Sequence, residues 1–455
     1  MKKIIIVGAG IAGLSFAYEC LLRKYDVLVI EASSSVGGLC RSITHNDCQL
    51  DMGVHILYLK DGEVLQKVKE IVDTDQWVRV KRQGKIYLEG AYVDWPLKHT
   101  VIFQLPLGFG LRVLYEQLFR KKSDNGGLDN YEDELLALYG PTLYNSFFGP
   151  LTKKFLRTEP KNIHSDWAFS SLRSATKIED KTFSESYKYL TRGTDVDSKK
   201  DFNAVKFLLQ SLKTNRNNEP FYYFKDGFGV LSNAYRDKIL KLGAKIINNI
   251  SVDSFVMEEG KLKQCIVGGN KFDVDQIVWT GDLYDLCNLL RINCSQMKYL
   301  HSKFVYFFLK ECSKKHQVCY YADPGVSFVR GTILSNHSKS IIRNKKVSDL
   351  VCLEYTFKVK EEMVNSFEAI KSAAINDLKK VGLINSESAI ESIFELNVPN
   401  TYPILTKDYR EELSRLEEQL RKYGNILTFG RQATFGYDNA DVIIKEAINH
   451  PMFKL

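Results

Sequence analysis

Three glycines and one acid near the N-terminus have the spacing to hold a phosphorylated ligand. Gly8-Ala9-Gly10-Ile11-Ala12-Gly13 follows the apolar run Ile4 to Val7 and opens a helical pattern from Leu14 to about Leu22. A second apolar run, Val27 to Ile30, ends at Glu31. The order predicts strand, turn, helix, strand, acid. Gly8 permits the tight turn, Gly10 lets backbone N–H groups approach a pyrophosphate, and Gly13 lets helix and strand pack closely. Glu31 offers acceptors to ribose hydroxyls. The chemistry is capture of a dinucleotide.

The next residues narrow the ligand. In Val36-Gly37-Gly38-Leu39-Cys40-Arg41-Ser42, two glycines allow close approach and Arg41 can pair with a pyrophosphate in a bidentate way. This stretch resembles the Gly-Gly-x-x-Arg-Ser/Thr extension of flavoproteins in the amine-oxidase, protoporphyrinogen-oxidase and sugar-mutase superfamily. The resemblance implies FAD.

These residues need elements to position them, and the bulk numbers bound those elements. A chain of 455 residues exceeds one compact core, so two or three lobes are expected. The net charge of +8 suits an anionic substrate as well as a solvated lysine-rich surface. Nine cysteines lie scattered without CxxC pairs or His-spaced clusters, which argues against a disulfide framework, against structural zinc, and for a reducing cytoplasm. No metal and no nucleic-acid partner are expected. No stretch reaches the uninterrupted apolar length of a membrane span. The most apolar region, Val101 to Leu118, holds Gln, Arg, Glu, Pro and Gly, and reads as a substrate-lobe helix rather than a membrane-surface contact.

Along the chain, Lys85 to Pro96 alternates around Glu89-Gly90 as a β-hairpin does. Residues 97–216 read as amphipathic helices, with the polar stretch Thr191 to Lys200 as a candidate mobile loop. A helix from Val230 to Leu242 and a strand from Gln276 to Thr280 suggest re-entry into the nucleotide domain. Lys303–Lys310 and Val351–Lys358 read as sheet strands, Glu361–Val381 and Glu411–Tyr423 as helices, and Asn425–Ala447 as strand, turn and helix. The predicted class is α/β: a Rossmann-like FAD-binding domain, an antiparallel-sheet substrate domain and an inserted helical lobe. The predicted division is 1–84 for the FAD-binding βαβ part, 85–220 for hairpin and helical lobe, 221–300 for a return to the FAD-binding domain, 301–424 for the antiparallel sheet, and 425–455 for a closing strand-turn-helix.

Several separated segments together resemble the UDP-galactopyranose mutase family. Leu50-Asp51-Met52-Gly53-Val54-His55-Ile56 resembles the segment passing beside the isoalloxazine. Phe224 to Leu231 resembles a P-x-x-G-x-G-x-L turn, and Ile277 to Asp282 a strand ending in Thr-Gly-Pro. Phe328-Val329-Arg330 resembles a Tyr-Thr-Arg strand. Asn400 to Ile404 with Tyr409, and Gly430-Arg431 through Tyr437, Asn439 and Asp441, resemble the family's Tyr-Pro-Ile and Gly-Arg turns. Departures include Val54 for Gly or Pro, Leu57-Tyr58 for a second histidine, Ala433 for Gly, Asn439 for Asp, and Asp282 for Pro.

The resemblance implies a nucleotide-sugar mutase that converts pyranose and furanose forms, with N5 of reduced FAD as nucleophile, NAD(P)H as a candidate reductant, and a role in surface polysaccharide synthesis. It carries cofactor binding onto Gly8, Gly10, Ala12, Gly13, Glu31, Gly38, Leu39, Arg41, Gly53, Val54, His55, Val252, Gly430, Arg431, Tyr437 and Asn439. It carries the diphosphate clamp onto Arg330, with Tyr402 and Tyr437 as hydrogen-bonding partners. Arg173 is the candidate second arginine, with Arg192 its competitor. His55 reads as a positioning residue rather than a base. A homo-oligomer fits the family. The rival reading is a net redox flavoenzyme, and a third is a flavin-binding scaffold without activity.

Overall fold

Lys3–Val7 becomes a strand because four of its five residues are apolar and both of its faces are covered. Ile4 and Ile6 enter one core with Val27 and Val29, while Ile5 and Val7 enter another with Ile30 and Ile277. Burial on two faces is the condition for a parallel strand. The strand pairs in parallel with Asp26–Ile30 on one side and Gln276–Trp279 on the other. The five-stranded sheet runs Lys245–Ile247, Asp26–Ile30, Lys3–Val7, Gln276–Trp279, Ile426–Thr428, all parallel. The chain therefore returns to this sheet three times after leaving it. The computed structural model describes residues 2–81, 83–97, 104–119, 130–167, 221–358 and 366–453.

One face of the sheet carries the helix Ile11–Leu22, flanked by Gly229–Lys241 and Ala440–Ile448. The other carries a three-stranded antiparallel sheet, Val252–Glu258, Lys261–Val267 and Asn270–Asp273.

A second, seven-stranded sheet runs Ile390–Pro403, Tyr299–Leu309, Asp349–Phe357, Arg330–Ile333, Val318–Tyr321, Gly84–Leu88, Ala91–Trp95. All its pairs are antiparallel except Val318–Tyr321 with Gly84–Leu88. Its last two strands are the expected hairpin, turned at Glu89 and Gly90, both with left-handed φ. Alternation sorts the strands between layers. Val305, Phe307, Val351 and Leu353 pack under the helix Phe367–Lys380 with Ile370, Ala374 and Leu378. Phe304, Tyr306, Leu350 and Cys352 face the nucleotide layer instead.

Under the hairpin lie the helices Leu107–Phe119, Tyr131–Leu143 and Gly149–Leu156, the last two joined by a π-helical turn at Tyr144–Phe148. Phe109, Val113, Leu135, Phe147 and Phe148 bind them to Ile86 and Val93. The outward face of Leu107–Phe119 shows Leu107, Leu111 and Tyr115 to solvent. The remainder of the expected helical lobe, with Arg173, Arg192 and the loop at 191–200, lies outside the described residues. Among the described residues no helix is long and apolar enough to cross a membrane, and no group of His, Cys, Asp and Glu could hold a metal.

Candidate active site

The N-terminal turn closes where a side chain has no room. Gly8 holds φ +103°, and a Cβ there would lie 2.6 Å from Thr280 Oγ1. A Cβ on Gly13 would lie 1.9 Å from the Gly8 carbonyl oxygen. Gly10 is bridged to Gly37, and a Cβ on Gly38 would come within 3.3 Å of the Gly10 Cα. Two glycine turns thus meet face to face. Glu31 is buried at the end of its strand; it accepts the Ala9 N–H at 2.6 Å and the Ser33 N–H at 2.8 Å. A carboxylate keeps further lone pairs for a ribose. Arg41 reaches Ser33 Oγ at 3.4 Å, and the Ile250 N–H bonds the Glu31 carbonyl, which brings the start of Val252–Glu258 to the same edge. Gly430, at φ +82°, closes over Ala12: a Cβ there would lie 2.4 Å from the Ala12 Cβ. Leu39, in the Gly37–Gly38 turn, and Val54, next to Gly53, are half-buried, and Asn439 precedes the helix Ala440–Ile448.

A second cluster forms where the two sheets meet. Arg330 and Glu354 are direct cross-strand neighbours. Arg330 Nε donates to Glu354 Oε2 at 2.7 Å, and Arg330 Nη2 reaches the same oxygen. The Tyr402 hydroxyl donates to Glu354 Oε1 at 2.7 Å and accepts from Arg330 Nη2 at 3.1 Å. All three side chains are buried. Burial opposes the Arg330 charge, yet Glu354 and the surrounding tyrosine hydroxyls hold it firmly protonated. Burial, and then the Glu354 carboxylate, push the Tyr402 hydroxyl up, so it stays a donor.

The loop through Gly53 lies on this triad. Gly53 has φ +81°, and a Cβ there would meet the Phe304 ring at 3.1 Å and Arg330 Nη2 at 3.4 Å. Two residues on, His55 packs against Phe228 with centroids 5.0 Å apart. Burial, then Arg330 and Arg431, hold its imidazole down to about 3, so it is neutral at pH 7. The Arg431 guanidinium sits 4.3 Å over the Tyr437 ring and 5.3 Å from the Tyr402 ring, and Nη2 donates to the Thr401 carbonyl. Among the described residues its Nε, like His55 Nδ1, is buried without a partner. Orphaned buried polar atoms at the end of a glycine-lined cradle fit a dinucleotide whose ring system reaches the second cluster.

Arg330, Tyr402, Tyr437, Arg431, His55 and Gly53 therefore converge, although they come from four separate segments. Sequence reasoning missed Glu354. Its signal was a lone acid inside the apolar strand Asp349–Phe357, since a charge buried there must be paired. It also missed Asp51, whose buried carboxylate accepts from Ser42 Oγ, Tyr223 OH and the Phe228 N–H. That carboxylate ties the flavin-side loop to the turn before Gly229–Lys241.

Three imidazoles give the fold an acid limit. Burial holds His55 at about 3 and His316 and His337 each at about 4, against an ordinary 6.5. Below pH 6.5 the unfolded chain binds protons that the folded chain refuses, so stability falls as pH drops towards 4. Each imidazole contributes about 1.4 kcal/mol per pH unit in that window. Asp441, raised to about 6 by burial, opposes this and offsets part of one. Urea midpoints should therefore decline from pH 7 to pH 5; a flat profile would mean that the imidazoles gain partners on protonation.

Comparison with known proteins agrees on the fold and on a nucleotide-binding domain. Residues 6–72 match the family of NAD(P)-binding Rossmann-like domains. The 4,4'-diapolycopen-4-al dehydrogenase of Metabacillus indicus is 22% identical over 359 residues, 76% of this chain and 68% of that protein. Protoporphyrinogen oxidase 2 of Arabidopsis thaliana is 34% identical over 92 residues, 20% of this chain but 17% of that enzyme. The crystal structure of reduced UDP-galactopyranose mutase superposes with a TM-score of 0.79 at 18% identity, covering 100% of this chain and 96% of that one. The last likeness shows the fold: mixed α/β, with a Rossmann-like nucleotide domain, antiparallel sheets and helices. The matched domain, the oxidase and dehydrogenase relatives and the glycine cradle support a flavin cofactor and a likeness to the FAD/NAD(P)-binding, amine-oxidase-like superfamily.

Proposed function

We propose that the protein interconverts pyranose and furanose forms of a nucleotide-diphosphate sugar. One observation carries the reading. Two guanidiniums, Arg330 and Arg431, share the buried cluster, and Glu354 is the one carboxylate bonded to either among the described residues. A neutral His55 adds no charge, so the guanidiniums outnumber their bonded carboxylate two to one, while the Asp51 carboxyl, raised by burial, is taken up by Ser42, Tyr223 and Phe228. A buried cationic site favours an anionic ligand and repels a substrate amine. Reduced flavin held in the glycine cradle would supply the nucleophile for the sugar carbon.

The chain's own side chains bind and orient. Glu354 fixes the plane of Arg330, leaving Nη1 without a partner among the described residues and available for phosphate oxygens. A planar guanidinium can hold two such oxygens. Tyr402 is committed to the Arg330–Glu354 pair, while the Tyr437 hydroxyl has no partner among the described residues and can donate to the leaving diphosphate. Gly8, Gly10, Gly13, Glu31, Gly38 and Arg41 would hold the dinucleotide, with Arg431 Nε and His55 Nδ1 towards its ring system. The polysaccharide role, a reducing cytoplasmic setting and Arg173 as a second clamp belong to the same proposal.

The names of the curated relatives favour a second reading, net oxidation of an organic substrate. One experiment separates the two. Purified protein is incubated without oxygen, reduced by dithionite or oxidised, with UDP-, GDP-, CDP- and dTDP-hexoses. An isomer of unchanged mass, formed only after reduction, is the expected result. No isomer, together with substrate-driven bleaching of the oxidised flavin, would establish the redox enzyme instead.

A further inference from the structure

Asp282 stands where the resembled family has proline, and the structure gives its carboxylate two tasks. One oxygen accepts the Tyr284 N–H at 2.8 Å and caps the helix Leu283–Leu289. The other accepts from the side-chain amide of Asn400. Asn400 lies in a bulge of Ile390–Pro403: between the pairs Leu300–Tyr402 and Ser302–Val398, Pro399, Asn400 and Thr401 oppose His301 alone. Its φ is +50°, left-handed, which asparagine adopts more readily than most residues but which still needs holding. A bulge bends its strand and re-aims the side chain that follows. Here that side chain is Tyr402.

The bulge is also where the Gly-Arg turn attaches. The Asn400 carbonyl accepts from Gln432 Nε2 at 2.8 Å, and the Thr401 carbonyl accepts from Arg431. Thr401 Oγ1 meets Ser302 Oγ at 2.6 Å, and the Tyr299 hydroxyl donates to the Gln432 carbonyl at 3.1 Å. Asn400 therefore joins three parts: the end of the nucleotide-domain strand, the bulged strand, and the turn that carries Arg431. A helix cap needs one carboxylate oxygen, and serine would serve as well. The second oxygen is spent on the bulge.

We propose that Asp282 is a positioning residue for the anion-binding face: by clasping Asn400 it fixes the bulge that sets Tyr402 between Arg330 and Glu354 and the Thr401 carbonyl against Arg431. The proposal rests on the reading of this cluster as a diphosphate site. Two substitutions separate clasp from cap. Asp282→Ser keeps a capping oxygen but is too short to reach Asn400. Asn400→Gly accepts the left-handed φ without strain and deletes the amide.

The flavin-loaded protein, the two variants and the double variant are compared for UDP affinity, flavin content and amide exchange across 398–403. Each single change should weaken UDP binding about tenfold with flavin content unchanged, and the double should be no weaker than either single, as expected for two halves of one contact. Exchange at Asn400, Thr401 and Tyr402 should quicken in both. Wild-type affinity in both singles, or a multiplied loss of about a hundredfold in the double, would overturn the clasp. If the unmodified protein binds no UDP, the diphosphate reading fails, and exchange alone decides: quickened in both singles supports the clasp, unchanged overturns it.

Discussion

An Arg330→Ala protein is expected to lose about 3–5 kcal/mol of stability as well as ligand affinity, because it leaves Glu354 buried and without its cation. Both Glu354 oxygens are engaged, one by Arg330 and one by Tyr402, and the acid is 1% exposed. Removing the guanidinium forces the carboxyl to take up a proton or draw in water. The pair therefore cannot be tested by one substitution. The double variant Arg330→Met/Glu354→Leu, similar in volume and without buried charge, should recover most of the lost stability. It should not recover binding of a nucleoside diphosphate. Chemical denaturation and nucleotide titration on the three proteins check this. Recovery of binding in the double variant would remove Arg330 from the ligand site and leave it a structural ion pair.

The second large effect is at Gly13. A Cβ there would lie 1.9 Å from the Gly8 carbonyl oxygen, in backbone that cannot move aside as a flexible side chain would. Gly13→Ala must push the helix Ile11–Leu22 away from the strand Lys3–Val7 and open the turn that faces Gly38. Overpacking of a tight contact costs about 1–3 kcal/mol. The cost to the cofactor is greater, since the N–H groups of the turn lose their aim. The purified variant should be colourless or carry flavin only when it is supplied in excess. Gly90→Ala is the control: Gly90, unlike Gly13, has left-handed φ, but a Cβ there meets nothing within 4 Å, so flavin content should stay normal. Full flavin occupancy in Gly13→Ala would show that the helix can shift without disturbing the cradle.

The nucleotide-binding half was legible in the amino-acid order because its signals are local. Strand, glycine turn, helix, strand and acid lie within 31 residues, and Gly13 answers a contact made inside that unit, although Gly8 also clears Thr280 from the returning chain. The hairpin at Gly84–Trp95 was legible for the same reason, as were the strands around 303–310 and 351–358. The expected helix over 361–381 is seen as Phe367–Lys380, and residues 359–365 lie outside the described part. Arg330, Tyr402, Tyr437 and Arg431 were named by resemblance. Nothing in their spacing said that they would meet.

What only the tertiary structure decided is who neutralises whom. Glu354 lies 24 residues from Arg330, and the two meet because Arg330–Ile333 pairs with Asp349–Phe357 in one register. A slip of one residue would turn Glu354 to the opposite face, among Leu353 and Tyr355. Asp282 and Asn400 are 118 residues apart and meet only because a bulge bends the strand towards the end of the nucleotide sheet. Local order determined the cofactor class, because backbone sterics and phosphate contact act over a few residues. The charge state and aim of the site depend on strand register and burial, which are properties of the assembled sheets.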